Sequence, residues 1–177
     1  FDRSTHMTLE KFKKGNAGVY AASSTVSNQS VLGTASVVYV DNDKAALLTC
    51  AHVVNFPDTV ITYFPDSAGI IRNAAIKLKQ KNYVVGLNNP KVELLATDDE
   101  HDIALLKATI NRGDDVRVMP FPVGKSSELD WGTFVYVMGF PKGHKMVESG
   151  IVSKSKKNKN GFSLTNAIFN HGISGGP

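Results

Sequence analysis

Three residue types that together can carry out nucleophilic catalysis stand in three short patterns of this sequence. His52 follows the largely apolar run Leu47–Ala51, Asp102 opens the apolar run Ile103–Leu106, and Ser174 lies between glycines. A serine hydroxyl becomes a strong nucleophile when an imidazole accepts its proton, and a carboxylate holds that imidazole in one tautomer. The three patterns therefore indicate acyl transfer.

The glycines around Ser174 meet a second requirement of acyl transfer. The tetrahedral intermediate carries an oxyanion that needs preorganised donors, and the backbone N–H groups of a tight glycine turn can supply them. Gly172 can adopt backbone angles that are denied to other residues. We predict that the amides of Gly172 and Ser174 form an oxyanion hole.

Each of these residues also has a structural explanation when it is taken alone. A histidine at a strand end is usually structural, Asp102 could cap a turn, and Ser174 could be an ordinary loop serine. The spacing glycine-x-serine-x-glycine also matches the nucleophile elbow of α/β-hydrolases. That fold needs its acid and histidine after the serine, whereas both candidates precede Ser174, so we reject it. His101 and His171 are expected to line the cleft or the surface.

Cys50 is the only cysteine of the chain, so no internal disulfide can form. We expect it to be a small buried hydrophobic residue. A zinc site made of Cys50 and His52 lacks two further ligands at a plausible spacing. The sequence therefore predicts no metal and no cofactor.

Short aliphatic and β-branched segments, separated by turn residues, dominate the chain after a helical stretch predicted at 8–15. Such a series of short strands indicates an all-β sandwich or barrel. A polar linker at 108–119 divides the segments into two β units, which we place at 16–112 and 113–177. The predicted strands are 19–21, 33–40, 45–49, 59–64, 70–79, 92–96 and 103–107 in the first unit, and 133–138, 146–155 and 161–168 in the second.

The composition is that of an ordinary globular protein, and its charge is only mildly basic. The 177 residues are 42% hydrophobic and carry a net charge of +4. The basic run Lys154–Lys159 reads as a solvated hairpin tip, and aromatic residues do not interleave the charges, so we expect no nucleic acid partner. No apolar run reaches the roughly 18 residues that cross a bilayer. Residues 1–15 read as an N-terminal extension whose first residues, ending in His6-Met7, look like a cloning remnant.

The motifs around the three candidates resemble those of trypsin-like (chymotrypsin-fold) serine peptidases, especially the bacterial high-temperature-requirement (HtrA) branch. The resemblance covers roughly 16–177 and rests on ordered matches. The matching segments are 48–54 (Leu-Thr-Cys-Ala-His-Val-Val), 102–107 (Asp-Ile-Ala-Leu-Leu-Lys), 123–141, 147–153, 165–170 and 172–177 (Gly-Ile-Ser-Gly-Gly-Pro).

The resemblance implies two antiparallel β-barrels with the active site in the cleft between them. It implies that His52 is the general base, that Asp102 orients it and that Ser174 attacks a peptide bond. A primary pocket would lie near Ile168 and Phe169, with His171 adjusting it. No charge stands there, so a small or medium apolar residue should precede the cut bond.

The departures from the family pattern limit what can be carried over. Ile173 stands where trypsin has aspartate, so activation by a buried N-terminal ammonium is not expected. Family members continue past the glycine-rich motif with further strands, so we expect the second barrel to be incomplete in this chain. A catalytically silent module that binds protein or an acidic polymer is the alternative function. The resemblance favours an extracytoplasmic location, and homo-oligomerisation stays open.

Overall fold

The computed structural model describes residues 3–15, 17–27, 29–154, 164–168 and 170–177. These residues form two helices, α1 (Arg3–Lys14) and α2 (Ala51–Val54), and eleven strands. Short 3-10 turns occur at Ser126–Glu128 and Pro141–Gly143. The strands are β1 (Val19–Val26), β2 (Gln29–Asp41), β3 (Lys44–Thr49), β4 (Thr59–Pro65), β5 (Ile71–Lys77), β6 (Gln80–Val84), β7 (Lys91–Asp98), β8 (Ile103–Thr109), β9 (Phe134–Gly139), β10 (Met146–Lys154) and β11 (Leu164–Thr165).

Six strands close into an antiparallel barrel in the order β1-β2-β3-β8-β7-β6. Alternate side chains point inward along each strand, because successive residues of a strand face opposite sides of the sheet. Leu47 of β3 lies opposite Leu106 of β8, and both are buried with Val37 and Val84. This apolar interior confirms the prediction of an all-β fold.

A hairpin formed by β4 and β5 stands outside the barrel. Its two strands pair only with each other in the described sheets, and its apolar side chains are largely exposed, with Tyr63 at 68% and Ile71 at 64%. The generous spacing between His52 and Asp102 predicts an extra loop or hairpin around 80–91. A hairpin is present there, because β6 pairs with β7 across the connection 85–90, but it belongs to the barrel, and the hairpin that stands outside the barrel lies at 59–77.

The second β unit contributes an open sheet in the order β11-β10-β9 within the described residues. Residues 110–133 connect it to the barrel without a strand. The open sheet agrees with the expectation of an incomplete second barrel, while the predicted strand over 161–168 falls partly outside the described residues.

Helix α1 begins earlier than the predicted stretch at 8–15 and packs onto the second unit. Phe12 is buried and meets the ring of Phe140 edge-on at 6.2 Å between centroids. Lys145 Nζ donates hydrogen bonds to the carbonyl oxygens of Phe12 at 2.8 Å and Gly15 at 3.1 Å. A cation here satisfies carbonyl groups that a helix end leaves unpaired. No helix among the described residues is long and apolar enough to span a membrane.

Candidate active site

The pairing of β3 with β8 brings His52 beside Asp102. The end of β3 is in register with the start of β8, Thr49 lying opposite Ala104. Cys50 leads from β3 into the single helical turn α2, whose residues Ala51, Val53 and Val54 are buried. This buried anchor fixes the backbone of the turn, and the side chain of His52 is left 55% exposed.

His52 and Asp102 form two hydrogen bonds. The backbone N–H of His52 donates to Asp102 Oδ1 at 2.9 Å, and His52 Nδ1 lies 2.6 Å from Asp102 Oδ2. Asp102 adopts a left-handed backbone conformation with φ of 55°. That conformation is uncommon outside glycine, although aspartate tolerates it better than most residues. The arrangement is the one that holds an imidazole in a single orientation.

The hydrogen bonds from His52 also keep Asp102 ionised. Partial burial acts to raise the pKa of Asp102, but the backbone N–H and ring of His52 outweigh it. The pKa of Asp102 therefore lies below its ordinary value of 3.8. The carboxylate is thus charged at neutral pH, as an acceptor for the imidazole must be.

Thr34 holds the loop that carries Ser174 against the first barrel. The N–H of Thr34 donates to the carbonyl oxygen of Ser174 at 2.7 Å, and its hydroxyl donates to the carbonyl oxygen of Gly172 at 2.8 Å. Thr34 is buried, and its own carbonyl oxygen accepts a hydrogen bond from Thr49 Oγ1 at 2.7 Å. The serine loop is therefore fixed to the strand that leads into His52.

Close packing makes glycine necessary at two positions of this loop. Gly172 has φ of +101°, and a Cβ there would lie 2.6 Å from the carbonyl oxygen of Phe140. Gly175 has φ of +85°, and a Cβ there would lie 2.5 Å from Thr49 Oγ1. Because real Cβ atoms do not approach other atoms so closely, both sites exclude larger residues.

The structure joins two members of the predicted triad, His52 and Asp102, by hydrogen bonds. Among the described residues, no hydrogen bond joins the hydroxyl of Ser174 to the ring of His52, and the N–H groups of Gly172 and Ser174 donate no hydrogen bond. Catalytic hydrogen bonds are often long before substrate binds. The serine loop is nevertheless adjacent to the end of β3, because the backbone of Gly175 packs against Thr49, the residue before Cys50.

Cys50 is part of the site, which the sequence analysis missed. It is half-buried rather than buried, and its thiol lies beside the carboxylate of Asp102. Burial, and then the negative charge of Asp102, raise the pKa of the Cys50 thiol to about 11. The donor atoms of Cys50, His52 and Asp102 all lie within 4.8 Å of one another. No sequence pattern marks Cys50 as part of the site, because only the pairing of β3 with β8 brings its sulfur close to Asp102.

The predicted pocket residues are only partly described. Ile168 is 68% exposed and His171 is exposed, with its carbonyl oxygen accepting a hydrogen bond from the N–H of Lys142. Phe169 lies outside the described residues, as do 155–159 of the basic run. A groove of about 870 Å³ lies elsewhere, between α1 and the first barrel, and none of the predicted site residues lines it.

Comparisons with known proteins agree with this architecture. A family model described as a trypsin-like peptidase domain matches residues 33–177. Serine protease HTR4 of Rattus norvegicus is 33% identical over 119 residues, which cover 61% of this chain and 24% of that protein. A probable periplasmic serine endoprotease DegP-like from Hahella chejuensis (strain KCTC 2396) is 40% identical over 91 residues, covering 48% of this chain and 18% of that protein. The chain thus spans about a quarter or less of the length of these relatives.

Two solved structures share the fold. The crystal structure of Deg5 superposes with a TM-score of 0.60 at 19% identity and covers 100% of this chain and 80% of that chain. The serine endoprotease from Yersinia pestis gives a TM-score of 0.60 at 22% identity, covering 96% of this chain and 52% of that chain. With the family match over 33–177, these similarities show that the chain belongs to the trypsin-like peptidase family, in the branch of the HtrA and DegP serine proteases.

Proposed function

We propose that this chain is a serine endopeptidase that cuts polypeptides through an acyl-enzyme, with His52, Asp102 and Ser174 as its catalytic residues. The observation that carries the proposal is the pair of hydrogen bonds between His52 and Asp102, at 2.9 and 2.6 Å, beside the anchored serine loop. Membership of a peptidase family supports the same reaction.

The position of the ring proton on His52 determines the order of the catalytic steps. The carboxylate of Asp102 accepts the Nδ1–H of His52, so the unprotonated Nε2 can act as the base. Nε2 takes the hydroxyl proton of Ser174 while Oγ attacks the carbonyl carbon of the substrate. The imidazolium then gives that proton to the leaving amine as the peptide bond breaks. Water repeats the sequence on the acyl-enzyme and releases the second product.

Backbone amides would stabilise the negative charge of the tetrahedral intermediate. We assign this role to the N–H groups of Gly172 and Ser174, in a loop that Thr34 and the buried Ile173 hold in place. Removing one such donor typically raises the barrier by about 3–4 kcal/mol. Holding the loop in one conformation therefore contributes to the reaction rate, because it keeps these two donors in place.

No aspartate, glutamate, lysine or arginine stands at 166–177 of the sequence, which favours apolar substrates. We propose that Ile168, Phe169 and His171 line the primary pocket, and that the residue before the cut bond is small or medium and apolar. The DegP-like relatives carry "periplasmic" in their names, which favours an extracytoplasmic location for this chain as well.

Digestion of an unfolded protein tests the proposal. The full chain should cleave reduced, carboxymethylated casein, and sequencing of the product ends should show small or medium apolar residues before each cut. Ser174→Ala should abolish cleavage while leaving the circular dichroism spectrum unchanged. A wild-type chain that binds casein yet releases no fragments would instead support a catalytically silent binding module.

A further inference from the structure

Cys50 gives the His52–Asp102 pair a third potential metal ligand. The sulfur of Cys50, a ring nitrogen of His52 and a carboxylate oxygen of Asp102 lie within 4.8 Å of one another. Thiolate, imidazole and carboxylate are the ligand types that bind Zn²⁺ in proteins. Cys50 and His52 are two residues apart in the sequence, and the pairing of β3 with β8 brings Asp102 to them.

We propose that Cys50, His52 and Asp102 form an inhibitory site for Zn²⁺ and similar thiophilic divalent cations. This inference rests on the proposed function, since the inhibited species is the catalytic pair. Zinc takes no part in peptide hydrolysis here. It competes with the hydrogen bond between His52 and Asp102 on which hydrolysis depends.

The site is accessible to a cation from solvent, and its three ligand side chains lie near enough to one another to bind it. The side chains of His52 and Asp102 are 55% and 38% exposed, and Cys50 is half-buried beside them. Zinc bonds of about 2.0–2.3 Å place tetrahedral ligand atoms about 3.5 Å apart. His52 Nδ1 and Asp102 Oδ2, which lie 2.6 Å apart, therefore have to separate by about 1 Å while the sulfur of Cys50 approaches them, and rotation of the exposed imidazole allows this. Water would occupy the fourth position.

Binding of the cation blocks catalysis through the tautomer of His52. The S–H bond of Cys50 breaks, its proton leaves to solvent and a Zn–S bond forms. The ring proton of His52 moves from Nδ1 to Nε2 as Nδ1 bonds the metal, so one proton is released overall. An imidazole that carries its proton on Nε2 cannot accept the hydroxyl proton of Ser174, and the enzyme loses its base.

A second histidine–aspartate pair provides the internal control. His101 Nδ1 lies 2.8 Å from Asp98 Oδ2, with exposure similar to that of the catalytic pair. Neither residue belongs to the cluster of Cys50, His52 and Asp102, and Cys50 is the only cysteine of the chain. Any binding that needs only an exposed histidine and a carboxylate should occur at His101 and Asp98 as well.

Titration of the full chain with ZnCl₂ tests the site by activity, and titration with CdCl₂ tests it by ultraviolet absorption. We expect saturable inhibition by zinc and a cadmium–thiolate charge-transfer band with one cadmium per chain. Cys50→Ser keeps a hydrogen-bond donor near Asp102 but lacks the thiolate. Losing an outer-shell partner already weakens a metal site about 10–100-fold. Cys50→Ser should therefore raise the half-inhibitory zinc concentration at least about tenfold and remove the band, whereas His101→Ala should change neither.

The outcomes separate this site from the proposed function. A cadmium band that His52→Ala weakens, in a chain without peptidase activity, would support the metal site and reject the function. Equal zinc inhibition of wild type and Cys50→Ser, or a band that His52→Ala leaves unchanged, would overturn the metal site. Should Cys50→Ser unfold, Cys50→Ala is the substitute, with circular dichroism confirming its fold.

Discussion

At the scale of single residues, the carboxylate of Asp102 holds His52 in place, because it accepts hydrogen bonds from the backbone N–H and from the ring of His52. These two bonds explain why Asp102 stays charged and why its strained φ of 55° is tolerated, since the neighbouring strands fix both partners. Strain of this kind costs about 1–3 kcal/mol and occurs often at functional sites.

Replacing the carboxylate by an amide should disable catalysis without unfolding the chain. Asp102→Asn can present an N–H to the imidazole and favour the wrong tautomer, so kcat on a peptide substrate should fall about 10⁴-fold. Asp98→Asn alters a similar histidine–aspartate pair, 2.8 Å apart, that the mechanism does not use. A comparable loss in both variants would contradict the specific role of Asp102.

The lowered pKa of Asp102 also predicts how stability changes in acid. A carboxyl group whose pKa is lower in the folded state stabilises the fold above its unfolded pKa, here near 3.8. That contribution disappears as the pH falls through the lowered value. Urea unfolding at a series of pH values should give a shallower acid limb for Asp102→Asn than for wild type, and superimposable limbs would contradict the assignment.

The packing around Gly175 predicts a large effect for a single methyl group. Gly175→Ala places a Cβ against Thr34 and Thr49 at a left-handed φ of +85°, so we expect a loss of about 3 kcal/mol together with loss of activity. Gly69→Ala has a similar φ of +76° but meets nothing within 4 Å, and should cost about 1 kcal/mol. Thermal unfolding of both variants measures the difference, and equal losses would contradict the packing argument.

At the scale of elements, strands with alternating apolar residues can be predicted from the sequence, whereas strand β6, which has a polar residue facing inward, cannot. The alternation in 45–49 and 103–107 identifies β3 and β8 to within two residues. Strand β6 was missed because Asn82 occupies one of its inward positions. Its side-chain amide donates to the carbonyl oxygen of Val54 at 3.1 Å, so a tertiary hydrogen bond replaces the apolar contact that a sequence pattern can reveal.

The hairpin of β4 and β5 should be dispensable for the barrel. Its two ends meet where the N–H of Leu78 donates to the carbonyl oxygen of Asp58 at 2.8 Å. Replacing 59–77 with a short glycine–serine linker should therefore change the free energy of unfolding by less than about 1 kcal/mol. Chemical denaturation tests this expectation. Loss of cooperative unfolding in the shortened chain would show that the hairpin stabilises the barrel.

At the scale of the whole molecule, the site joins distant parts of the chain at one edge of the barrel. The sequence was sufficient to select His52 and Asp102, because ordered motifs surround each of them, and the structure brings those two side chains together. It was insufficient for Cys50, because only the strand pairing shows that its sulfur faces Asp102. The pocket around Ile168 and Phe169 stays a prediction.

Labelling with a fluorophosphonate probe tests most directly whether the barrel edge and the glycine loop act as one catalytic unit. We expect the full chain to gain one covalent adduct, which peptide mass spectrometry should locate on Ser174, and we expect His52→Ala to react far more slowly. Absence of any adduct on a folded wild-type chain, or equal labelling of wild type and His52→Ala, would contradict the account.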